Sequence, residues 1–349
     1  MQDLLAIQDE ISRAIVGTLR IKFAGRLRLP AGSKTCNPES HNLYLHGRFH
    51  LSKRTADGIN RSAECFERAI AEDPGCALSW AGLADACALL ADYGLVQPAT
   101  IMPRAKQAAL RAIELDPSLG EAWTSLALVR SLYEWEWAEA EMCYRRAIEL
   151  NPGYATVHHW YGVDYLAMMG RFDEALPEIE LARQMDLLST IIIEGHAFIH
   201  MLARRYDEAI RTYQVVYVDW PDSHPERSIR RSAGNAGARK IARRGHPEYL
   251  GRVGPAHALA GHAERARNFL GELQIAARNG YVPSARFAIV YLGLGEKERA
   301  LDMLEEGFEH REIPLAGIKV HPVFDGLRGE RRFAGLLQRL NLANSRPLQ

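Results

Sequence analysis

Two histidines four residues apart, His196 and His200, share one face of a predicted helix, because four residues is close to one turn. That is the spacing of a chelating histidine pair, and His158 and His159 lie upstream as a second pair. Zinc takes three or four protein ligands with supporting groups behind them, and the chain contains neither HExxH nor paired CxxC. The expectation is therefore packed or groove-lining histidines and no metal. Gly293-Leu-Gly295 lacks the third glycine and the preceding strand of a dinucleotide loop. No GxxxxGK[ST] loop, GxSxG elbow or HRD/DFG pair occurs. Glu134 and Glu136 are the type of acid pair that acid–base chemistry uses, but they fall in a turn, where nothing raises a carboxylate pKa. Trp135 and Trp137 beside them read as packing anchors rather than a ligand cage. The residues predict no enzyme and no cofactor.

The elements that would position such groups are helices in a repeating array. In residues 140–162, AEMCYRRAIELNPGYATVHHWYG, Ala140, Tyr144 and Ala147 share one helix face, and Pro152 stops the helix because it has no amide hydrogen to continue it. Small residues at the start of successive second helices fall at Ser62, Ala105, Ala140, Ala175, Ala209, Ala266 and Ala300. Their spacings are 43, 35, 35, 34, 57 and 34, so the period is near 34. The 43 contains an insertion around DYGLVQPAT. Closing prolines recur at Pro74, Pro117, Pro152 and Pro221, with Leu187 where one is missing.

Charge and cysteine content narrow the function classes. Forty-three basic and 43 acidic residues cancel, which disfavours nucleic acid or an anionic membrane as the partner of the whole chain. No run approaches the roughly 20 apolar residues of a spanning helix, and the acidic MQDLLAIQDE opening is unlike a signal peptide. Cys36, Cys65, Cys76, Cys87 and Cys143 are odd in number without a CxxC pair, and they read as reduced thiols in a cytoplasmic protein.

The pattern resembles the tetratricopeptide repeat, a 34-residue helix-turn-helix unit. The first-helix signature is carried by Trp80 with Leu83 and Ala84, by Trp123 with Leu126 and Ala127, and by Tyr161, Gly162 and Tyr165. The second-helix signature is carried by Phe66 with Ala69, Ala112, Tyr144 with Ala147, Ala182, and Tyr213. The resemblance implies an all-α solenoid of antiparallel helix pairs, about seven repeats with one degenerate stretch. AIQDEISRAIVGTLRIKF, YLHGRFHLSKRT, the block SLYEWEWAEAEMCYRRAIELNP and HPVFDGLRGERRFAGLLQRL further resemble the C-terminal repeat region of bacterial signalling proteins. In those relatives such arrays follow a winged-helix, serine/threonine kinase or nucleotide cyclase domain.

The expected order along the chain is an N-terminal amphipathic helix at 1–29, striped by Leu4, Ile7, Ile11, Ile15 and Leu19, and then a linker at 30–38. Five repeats follow at 39–221, a degenerate basic segment at 222–251, two further repeats at 252–320, and a C-terminal capping helix and tail at 321–349. The basic segment holds Arg227, Arg230, Arg231, Arg239, Lys240, Arg243 and Arg244 without the interleaved aromatics of a base-stacking platform.

In such repeats the first helices line a concave groove. Its lining here is His41, Tyr44, Arg48, Asp85, Glu121, Thr124, Leu128, His159, Val163, Glu194 and Phe198. The lysine and asparagine clamp with which some relatives hold a terminal carboxylate is absent. An apolar groove with scattered acids suits an extended peptide or amphipathic helix with some basic character. A segment of the chain itself, residues 3–23, is another candidate occupant. The expected function is a non-catalytic protein-binding scaffold. The alternative is the sensory or self-associating module of a regulator whose effector domain lies outside this chain.

Overall fold

The computed structural model describes residues 36–217 and 263–343. The expected N-terminal helix, the linker as far as residue 35, the basic segment, residues 252–262 and the last six residues lie outside the described residues. Among the described residues every regular element is helical.

Five helix pairs come first. They are α1 (Pro38–Ser52) with α2 (Ala56–Glu72), α3 (Ala77–Asp92) with α4 (Pro98–Leu115), and α5 (Gly120–Val129) with α6 (Trp137–Leu150). The fourth and fifth pairs are α7 (Ala155–Trp160) with α8 (Phe172–Met185) and α9 (Thr190–Leu202) with α10 (Tyr206–Tyr217). α5 and α7 each continue as a π-helical turn, Arg130–Glu134 and Tyr161–Ala167. Each helix packs on the next, and α1, α3, α5 and α7 also pack on one another in succession.

The small-residue face explains this stacking. Ala69, Ala105, Ala112, Ala140, Ala147, Ala175 and Ala182 are all at most 1 % exposed, so neighbouring backbones approach closely. Phe66 fills one joint so fully that a Cβ on Gly47 or Gly82 would meet its ring at 2.5 or 2.4 Å. The same joint one, two and three repeats on holds Ala109, Tyr144 and Ile179, all with no exposed area.

Each second helix of the first four pairs ends in the same way. Asp73, Asp116, Asn151 and Asp186 all leave the helical conformation and donate their backbone N–H to the carbonyls of Ala69, Ala112, Ala147 and Ala182. Asp73 and Asp116 also accept, through the carboxylate, from the backbone N–H two residues on. Asp186 makes the same stop without a following proline, so the acid or amide sets the turn and the proline reinforces it.

Beyond residue 262 come α11 (Ala263–Asn279), then α12 (Ser284–Gly293) paired with α13 (Lys297–Glu309), two 3-10 turns (Ile313–Gly317 and Pro322–Leu327), and α14 (Arg331–Arg339). The end of α13 and the segment after it fold back on the turns of the earlier pairs. Trp135 stacks on Phe308 with centroids 4.9 Å apart, and Trp137 Nε1 donates to the Leu340 carbonyl at 2.8 Å. Arg204 forks onto Asp325 at 2.7 and 3.0 Å and donates to the Val320 carbonyl at 2.6 Å. One apolar core thereby runs from Leu51 to Leu342.

The reduced-cysteine expectation is overturned at one position. Cys36 and Cys76 form a disulfide, because Cys36 precedes α1 and Cys76 caps α3, and those two helix starts lie side by side with Cα atoms 4.9 Å apart. A separation of 40 residues with no local motif gave no hint of this pairing. Cys65, Cys87 and Cys143 are free thiols, the latter two buried.

Candidate functional site

Successive first helices bring their polar residues together on one face. Arg48 on α1 donates through Nη1 to Asp85 on α3 at 2.8 Å, and through Nη2 to the hydroxyl of Tyr154, just before α7, at 3.4 Å. Ser125 on α5 donates to the other oxygen of Asp85 at 2.6 Å. Asn151 Nδ2 donates to Glu121 Oε1 at 3.0 Å. Polar groups from four helix pairs thus meet in one cluster, and the 106-residue separation of Arg48 and Tyr154 measures how far the array curls back.

Burial sets the electrostatics of this cluster. It pushes the Asp85 carboxyl up, and the Arg48 guanidinium and the Ser125 hydroxyl oppose that shift without reversing it. It also pushes up the Glu121 carboxyl, against the pull of its own backbone N–H and of Arg48. The Tyr44 hydroxyl is likewise raised by burial, with Arg48 opposing. The Arg48 guanidinium therefore acts on two partly dehydrated carboxylates, and Arg54 adds to its pull on Asp85.

The other expected groove residues divide between surface and interior. His41 is exposed, and Tyr44, Glu121, Glu194 and Phe198 are half-buried. Thr124 and Leu128 are buried, and the Thr124 hydroxyl donates to its own helix at Gly120. His159 and Val163 are buried too, and the cause is Gly195 on α9. A Cβ there would meet Val163 Cγ2 at 2.9 Å and His159 Nε2 at 3.1 Å, so α9 covers both. Burial accordingly lowers the His159 pKa to about 3. Phe198 lies beside His321 of the folded-back segment, with ring centroids 6.4 Å apart.

The register of first-helix positions did not disclose Ser125, Asn151 or Tyr154. Ser125 adjoins an expected position, and the other two lie in the turn before α7, so neither follows from first-helix spacing. That turn repeats a further contact. Trp80 and Trp123 donate their indole N–H to the carbonyls of Pro74 and Pro117 at 3.0 Å. His158 Nε2 lies 3.0 Å from the Pro152 carbonyl in the same way, while its Nδ1 lies 2.6 Å from Glu178.

The array has the tetratricopeptide-repeat fold. Solved tetratricopeptide proteins are similar to it. The thermophilic TPR protein TTC0263 of Thermus thermophilus matches at 18% identity and a TM-score of 0.42, over 53% of this chain and 93% of its own. A tetratricopeptide repeat protein from Parabacteroides merdae matches at 12% identity and a TM-score of 0.40, over 87% of this chain and 98% of its own. YrrB, described as a TPR protein with an unusual peptide-binding site, matches at 17% identity and a TM-score of 0.32, over 54% and 88%. No family model matches the chain. Among curated proteins, the transcriptional regulator HilA of Salmonella typhimurium is 25% identical over 148 residues, which is 42% of this chain. The chain spans about a quarter of the length of that relative. No helix among the described residues is long and apolar enough to cross a membrane.

Proposed function

We propose that the chain is a non-catalytic protein-interaction scaffold that holds a peptide or helix of a partner against the first-helix face of its early repeats. The observation that carries this reading is the convergence of Tyr44, Arg48, Asp85, Glu121 and Tyr154, in which burial raises both acids although Arg48 acts on each of them. A lysine or arginine side chain of the partner would supply the missing positive charge at Glu121, while Tyr44 offers a flat apolar contact. His41, at the start of the same helix face, would meet the partner's flank.

Peptides selected from a random library against the full chain test this directly. Enrichment of basic residues is expected, and Glu121→Gln should weaken a selected peptide about tenfold, the loss of roughly 1.4 kcal/mol. Unbiased selection, or binding indifferent to both Glu121→Gln and Tyr44→Ala, overturns it.

A second reading is favoured by the match to HilA. Here the array is the sensory or self-associating module of a bacterial regulator, and the partner is another domain or another copy of the chain. Light scattering on the full chain distinguishes the two. A concentration-dependent dimer abolished by changes on the groove face supports the second reading, and a monomer supports the first.

A further inference from the structure

His196 and His200 stand one turn apart on α9, and their rings converge. The centroids are 4.9 Å apart and the two Nε2 atoms 3.2 Å apart, with both side chains half-buried. In the absence of an ion only one of these two nitrogens needs to carry a proton, which it donates to the lone pair of the other. A metal ion can take the place of that shared proton after a small rotation of both rings. With metal–nitrogen bonds of about 2.05 Å, a separation of 3.2 Å subtends roughly 100° at the metal, between square and tetrahedral angles.

We propose that His196 and His200 are a chelating pair for a late first-row divalent ion. Copper is held more tightly than nickel or zinc, following the general order for nitrogen ligands. Two features of the surroundings support this. Burial lowers the pKa of both imidazoles, and the mutual repulsion of the pair lowers that of His200 further, so both rings are neutral at pH 7 as ligation requires. The charged groups around them are mixed. Glu180 and Arg183 face His196, and Arg205, Glu208 and Arg211 face His200.

Two features also limit the site. Among the described residues no third histidine, cysteine or acid completes a ligand set, so the remaining positions belong to water or to a donor from outside. His200 Nδ1 is buried with no hydrogen-bond acceptor, and a missing acceptor of this kind weakens metal binding about 10–100-fold. A modest, rapidly exchanging site is expected, not a structural one. It is independent of the groove reading above.

The test is titration of chelator-stripped full chain with Cu²⁺, followed by calorimetry and electron paramagnetic resonance. The expected result is one equivalent bound with two-nitrogen coordination. His196→Gln and His200→Gln should each weaken that equivalent at least tenfold, with unchanged circular dichroism, and Ni²⁺ should raise the melting temperature of the wild type alone. Equal binding by the double variant overturns the proposal. Should the variants fold poorly, histidine ring resonances of the unaltered protein decide. Broadening of His196 and His200 first, at substoichiometric Cu²⁺, supports the pair, and earlier broadening of other histidines refutes it.

Discussion

Replacing Arg48 by methionine should destabilise the first repeats by about 3–4 kcal/mol at pH 7, and the deficit should shrink as the pH falls. The Asp85 side chain is 3% exposed and accepts from Arg48 and Ser125. Removing one partner of a buried pair costs about 3–5 kcal/mol. Arg48 itself is 31% exposed, which argues for the lower part of that range. A second limit comes from the carboxyl. Asp85 can bind a proton instead of remaining an unpaired charge, and at pH 7 that costs about 4 kcal/mol for a group of ordinary pKa near 3.9. The sign follows from the folded-state pKa, which burial has already raised and which rises further once Arg48 no longer opposes it. Between the unfolded and folded pKa values the folded chain binds the extra proton. Its stability therefore falls as pH rises through that window, by about 1.4 kcal/mol per unit, and the variant's window extends to higher pH than the wild type's. Hydrogen exchange of α1 to α3 between pH 5 and 7 measures this locally, which suits an array whose repeats open separately. The double variant Arg48→Met with Asp85→Leu should recover all but about 1 kcal/mol, because no charge is left unpaired. A cost below about 1 kcal/mol in the single variant, or a deficit that does not change with pH, refutes the reasoning.

Three further outcomes are expected. Cys36→Ser, or reduction, should lower the stability of the first repeat by up to about 4 kcal/mol in the chain-entropy account of a 40-residue loop, read as a fall in its unfolding midpoint under reducing conditions. Trp137→Phe leaves the buried Leu340 carbonyl without its donor and should cost about 1–3 kcal/mol, with α14 losing exchange protection before α6 does. His158→Phe loses both the Pro152 and Glu178 contacts and should cost about 2 kcal/mol or more, whereas His158→Trp should recover part of this by donating to Pro152 as Trp80 and Trp123 donate to their own prolines. Equal melting temperatures for the two His158 variants would remove the shared proline contact from the account.

The repeat was legible because its cause is local. An alanine that must let a neighbouring backbone approach leaves a period in the sequence, and Ala105, Ala140 and Ala175 are buried where that period places them. The helix stops were legible only in part. Proline marked three of them, while the acid or amide before it sets the turn, and Asp186 shows this by ending α8 with Leu187 in the proline's place. The candidate site depends on a different quantity, the rotation between successive pairs, which no single repeat encodes. A one-helix register assigned His159 and Val163 to the groove, but a glycine on the next first helix lets α9 close over them. The same rotation carries Tyr154 to Arg48 across 106 residues and sets Cys36 beside Cys76. Residues that interact within one repeat can therefore be read from spacing. Residues that interact across repeats need the curvature, and the cluster proposed to bind a partner draws on both: first-helix spacing named Tyr44, Arg48, Asp85 and Glu121, whereas their meeting with Ser125 and Tyr154 depends on the curvature.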